Sequence, residues 1–173
     1  MRSIYCSIVL ICIIALFSGC ASDKRYTGGK LITGPAATDI VNYVNQGLIA
    51  IAELEQKSFE RYENVTGKNF TTNQKLIESL KDFVIPTYKR FLTGLKNINP
   101  ENPEIRPVHA IYIRAAESTL EGFNMILIGC ENNDEGIIKH GNKKLEEGRV
   151  GIDKWRTELN ELYKKHGVAE LNG

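Results

Sequence analysis

"IKHGNKKLEEGRVGIDKWRTELNEL", residues 138–162, decides the fold. Ile138, Gly141, Leu145, Gly148, Ile152, Trp155, Leu159 and Leu162 recur in alternating steps of three and four, the spacing of a helical seam packed against a neighbouring helix. Asn133 or Asp134 is placed to cap its start, with Asp134 also meeting the positive end of the helix dipole. Lys164, Lys165 and Gly167 suit its end. A helix of this kind buries one face and leaves the other charged, so it needs partners.

Working toward the N-terminus, three more segments supply them. Val108, Tyr112, Ala115, Thr119, Phe123 and Ile126 share one helical face, widened by Ile113, Ala116, Leu120 and Leu127; Asn102 and Pro103 suit its start, with Pro107 as a later alternative. Before it, Asn73 to Ile98 carries Leu76, Leu80, Phe83, Thr87, Phe91 and Ile98 on one stripe, with Val84, Tyr88 and Leu95 beside it. Pro86 falls inside this segment, where it removes a backbone donor and crowds the carbonyl of Asp82, so a kink is expected there. The first segment, opened by Thr38 or Asp39 and closed by Gly67, presents Val41, Val44, Leu48, Ile51, Phe59 and Tyr62. Glu55 interrupts that stripe and is expected at its edge, reaching water. Short connections make neighbours antiparallel, so the expectation is an all-α domain over 38–173: four long helices in an up-down-up-down bundle.

Gly141 and Gly148 interrupt an otherwise bulky seam, and each costs about 1 kcal/mol relative to Ala in a helix. Either a neighbouring backbone or side chain fills the space, or the face is a cleft. In the second case Tyr88, Tyr112, Gly141, Gly148 and Trp155 would line it and take a small apolar ligand.

The sequence argues against several function classes. It holds 22 Lys+Arg against 21 Asp+Glu, which is not the footprint of a nucleic-acid binder. No Glu-x-x-His pair, His-Glu-x-x-His, Cys-x-x-Cys or Gly-x-Ser-x-Gly is present, so no metal ligands, cofactor or catalytic residues are assigned. His109 and His140 suit solvated or capping positions, and His166 falls on the seam near the last helix end. Cys130 reads as a small buried hydrophobe.

The first twenty residues speak to location. Arg2 is followed by the uncharged, largely apolar run Ile4 to Phe17 and then by Ser18-Gly19-Cys20, the layout of a secretory leader. A run of that length is short of the roughly 20 residues a membrane-spanning helix needs. "LFSGC", residues 16–20, resembles the lipobox of bacterial lipoproteins, with Phe17 where leucine is commonest. The resemblance covers residues 1–20 only. It implies that 1–19 is a signal peptide, that Cys20 becomes the lipidated N-terminus with acyl chains of the palmitate type, and that 20–37 tethers the domain to a membrane outside the cytoplasm. Loss of Arg2, the leader's one charge, would leave the remainder formally neutral. Ala21, where inner-membrane lipoproteins of Gram-negative bacteria commonly carry Asp, would then favour the outer membrane. The expected role is a non-enzymatic interaction or structural module of the cell envelope with a protein partner of unknown identity; a carrier or sensor of a small apolar ligand is the alternative.

Overall fold

The computed structural model describes residues 34–168, and every regular element among them is helical. Helix α1 (Pro35–Asn42) passes through a π turn, Tyr43–Leu48, into α2 (Ile49–Glu63). Helix α3 (Asn73–Ser79) passes through a second π turn, Leu80–Val84, into α4 (Ile85–Asn97). Helices α5 (Ile105–Asn132) and α6 (Glu135–His166) are uninterrupted. Because the residues flanking both π turns keep right-handed helical backbone angles, the chain forms four helical rods. The leader, Cys20 and most of the tether lie outside the described residues.

The rods begin and end where local chemistry satisfies their terminal backbone groups. Pro35, whose ring presets a helical φ, opens the first rod ahead of Thr38, and Ala37 already packs into the core. The tether therefore gives way to helix earlier than its Gly- and Thr-rich composition suggests, and neither Thr38 nor Asp39 is the cap. The rod stops at Glu63, and Gly67, with φ of 55°, instead opens a short 3-10 turn, Gly67–Asn69. Thr72 caps α3 by accepting from the Lys75 amide at 3.2 Å. Asn102 accepts from the Glu104 amide at 2.9 Å, which turns the chain before α5 rather than capping it. Pro107 then sits in the first turn, where a missing N–H goes unused. Asp134 caps α6 through the Ile137 amide at 3.0 Å. Asn133 and Gly167, both left-handed, end α5 and α6; the Asp134 and Val168 amides bond back to the Gly129 and Tyr163 carbonyls at 2.8 and 2.9 Å.

Both π turns lengthen the backbone repeat locally. In the second, the Ile85 amide reaches back to the Leu80 carbonyl, one residue further than in an α-helix, immediately before Pro86, which has no amide to offer. The wider turn also changes the buried stripe. Leu76, Leu80, Val84 and Tyr88 now follow one another in steps of four and are buried, whereas Phe83, expected on that stripe, is 38% exposed.

Helices α5 and α6 share the most extensive interface, and contacts step down α5 as they step up α6: Gly129 with Ile138, Gly122 with Gly141 and Leu145, Thr119 with Gly148, Ala115 with Gly151. The expected seam is buried from Gly141 through Leu159, but it finishes on Tyr163, with Leu162 only half-buried. A four-residue last step keeps that face turned inward as the straight helix drifts from a heptad repeat. On top of this pair the other rods place an aromatic core: Tyr88 meets Phe123 edge to face with centroids 5.4 Å apart, and Phe59 meets Tyr88 likewise at 5.7 Å.

A Cβ on Gly141 would lie 2.9 Å from the Gly122 carbonyl oxygen and 2.7 Å from Ile126; one on Gly148 would collide with Thr119 Oγ1 and lie 3.0 Å from the Ala115 carbonyl oxygen. Along this face α6 lies directly on α5, and α5 fills the space that a cleft would need. Gly148→Ala is expected to destabilise the protein by about 1–3 kcal/mol, because overpacking outweighs the ~1 kcal/mol gain in helix propensity. Val150→Ala, at a site 54% exposed, should stay within about 0.5 kcal/mol. Urea denaturation of both variants checks the contrast.

Candidate functional site

The first rod brings Glu55 inward, away from the solvated edge expected for it. Its residue as a whole is half-buried, but Oε1 is closed off from solvent and has no hydrogen-bond partner. Oε2 accepts the Tyr112 hydroxyl of α5 at 2.6 Å. Burial pushes the Glu55 carboxyl up to about 7; the Tyr112 hydrogen bond and the positive charge of Arg156 act in the other direction without cancelling it. Burial, reinforced by this carboxylate, drives the phenols of Tyr112 and Tyr88 well above their ordinary range.

All four rods contribute to the surroundings. Tyr112 stacks on Trp155 of α6, with ring centroids 4.2 Å apart and planes 21° from parallel, and also meets Phe91 of α4 at 5.8 Å. Tyr43, from the first π turn, places its hydroxyl 3.1 Å from His109 Nδ1 and crosses that ring edge to face at 5.6 Å. Burial raises the Tyr43 phenol, with the Trp155 side chain opposing, and lowers His109, with the carbonyls of Ile98 and Leu95 opposing. His109 is thus a buried side chain tying the first rod to α5. His140 is exposed, and His166 reaches Glu104 at 3.4 Å.

Of the residues assigned to a cleft, Tyr88, Tyr112 and Trp155 converge around Glu55. Gly141 and Gly148 do not join them, since both meet α5. Glu55, Tyr43, His109 and Arg156 were missing from that set. A charge breaking an apolar stripe marked Glu55, but nothing in the spacing paired it with Tyr112, which lies 57 positions away. Arg156 follows Trp155 directly and is shared between this cluster and the surface: it reaches Asp153 Oδ1 at 3.5 Å while its Nε is buried without a partner.

A carboxyl held half-neutral at neutral pH can exchange a proton, but a reaction needs a bound substrate and a second placed group. Among the described residues no cluster of three or more His, Cys, Asp or Glu is arranged to hold a metal ion, and no helix is long and apolar enough to cross a membrane. Comparisons with protein families, curated proteins and solved structures find no match.

The elevated Glu55 carboxyl fixes the sign of a pH effect. Between the ordinary glutamate range and about pH 7, the folded protein retains a proton that the unfolded chain releases, so this group's contribution to stability falls as pH rises across that window and is flat above it. The loss is on the order of 3 kcal/mol. His109, lowered by burial, acts in the opposite sense as pH rises toward its ordinary range. Comparison with Glu55→Gln isolates the Glu55 contribution: denaturant titrations at about pH 5 and pH 8 should show the variant gaining stability relative to the parent at the higher pH.

Proposed function

We propose that the chain is a bacterial envelope lipoprotein whose helical domain works as a non-enzymatic interaction or structural module. The leader 1–19 is removed, Cys20 carries the acyl chains, and the segment after it tethers the domain outside the cytoplasm, at the outer membrane where the source has two membranes. The rods form an antiparallel up-down-up-down bundle, bent in the second rod near Pro86. Supporting that topology, Ile51 meets Gly94 while Phe59 meets Tyr88, and Lys96 pairs with Glu117 at 2.6 Å while Lys81 pairs with Glu131 at 3.7 Å. The π turn immediately before Pro86 supports the bend.

The observation that carries the functional reading is the lipobox-like "LFSGC" ahead of a domain whose glycine face is closed by helix–helix contact. Such a domain offers its surface to a partner rather than an interior to a substrate. Charge balance supports protein contacts over nucleic acid. The alternative, a carrier of a small apolar ligand, draws support from the convergence of Tyr88, Tyr112 and Trp155, but Gly141 and Gly148 face the wrong neighbour for it. Mass spectrometry of the protein extracted from its own envelope should find a diacylglyceryl-modified Cys20 as the first residue, and Cys20→Ala should move the protein out of the membrane fraction. A first residue of Met1, or an unmodified Cys20 thiol, would refute the anchor. A stoichiometric small molecule in native spectra of the same preparation would favour the carrier.

A further inference from the structure

We propose that Glu55 is a buried protonation site that exchanges partners: with the proton bound its carboxyl rests on Tyr112 alone, and once the proton leaves, the carboxylate draws the Arg156 guanidinium off Asp153 onto its uncommitted Oε1. This goes beyond the envelope reading and does not depend on the anchor.

Two opposite groups are left unfinished, and the charge of one acts on the other. An ionised carboxylate requires partners for both oxygens, and a buried one without them is strongly disfavoured; Oε1 has none. The arrangement suits the neutral acid. On α6, the Arg156 Nε–H is a buried donor without an acceptor, and its charge is near enough to act on Glu55. Its hold on Asp153 is long, 3.5 Å, and Asp153 already has a better cation in Arg149 at 2.8 Å. Releasing Asp153 therefore strands no charge.

The chemical step is ionisation. The carboxyl O–H bond breaks, its electron pair stays on Glu55, and the proton passes to solvent; Arg156 remains charged throughout. Groups facing Glu55 from the packed elements are Tyr88 on α4, Tyr112 on α5 and Arg156 on α6, with Tyr43 and His109 one contact further along the seam. Both phenols stay protonated across the neutral range, because burial raises them further. Of these groups, Glu55 and His109 are the ones that titrate there. Movement of Arg156 must be felt by Trp155, its chain neighbour and the stacking partner of Tyr112. Trp155 is the chain's one tryptophan, so the switch carries its own reporter.

The test is a pH titration of tryptophan emission in the full chain. The parent should show a transition centred at about pH 7. Glu55→Gln should lose it, and His109→Gln should keep it. Arg156→Met should move the midpoint up by about one pH unit, since the cation that favours the carboxylate is gone, and Arg156→Lys should restore most of the parent midpoint. A transition that persists in Glu55→Gln, or a midpoint indifferent to Arg156→Met, overturns the exchange. Should Glu55→Gln not fold, the parent decides alone by carboxyl ¹³C resonances: a Glu55 signal that titrates only near pH 4.3 would also overturn it.

Discussion

The close approach of α5 and α6 is the constraint on which the other packing depends. Two long helices can lie backbone to backbone only where side chains vanish at the contact, and Gly141 sits against Gly122 while Gly148 sits against Ala115 and Thr119. Each glycine costs helical propensity, offset by dispersion contact along the two uninterrupted helices, 28 and 32 residues. With that pair fixed, Phe123 and Tyr112 of α5, the latter stacked on Trp155 of α6, meet the rings of Phe59, Tyr88 and Phe91 from the other rods. The other two rods, each interrupted once by a π turn, then pack across the pair.

Those interruptions mark a difference between the two halves. The first two rods each carry a π turn, and the first also brings a carboxyl into the core; α5 and α6 carry neither. Local stability follows buried contact and backbone regularity, so the α5–α6 pair is expected to be the stable floor and the first rod, with its π turn and buried carboxyl, the element that lifts from it first. Glu55 and Tyr43, both on that rod, make its polar ties to α5, through Tyr112 and His109. Hydrogen bonds of this kind fix register between helices, and the buried oxygen left over makes the same rod sensitive to a proton.

Much of the architecture was legible because it is written in local chemistry. The three-four alternation from Gly141 to Leu159, the Asp134 cap and the left-handed Gly167 are all set within one turn of helix and all appear. Pro86 announced a disturbance; that a π turn would absorb it, retiring Phe83 from the stripe in favour of Val84, depends on how the second rod meets its neighbours and is not local. The start at Pro35 was missed because the residues before Thr38 look like linker; the proline presets the first turn, and the burial of Ala37 against the core shows only in three dimensions. The candidate site was half legible. Aromatic residues at helical spacing gave Tyr88, Tyr112 and Trp155, whereas Glu55 reads as an edge charge until a distant hydroxyl is seen to hold it. Gly141 and Gly148 were ambiguous by nature, since an absent side chain does not say what occupies its space.

Native-state hydrogen exchange tests the central claim most directly, because it resolves the stability of each helix without a mutation. If the α5–α6 contact is the floor of the fold, amides in the middle of those helices will exchange only through global unfolding, while those of α1 and α2 exchange through a smaller opening that leaves α5 and α6 protected. Protection in the first rod equal to or greater than that of α5 and α6 would contradict the account.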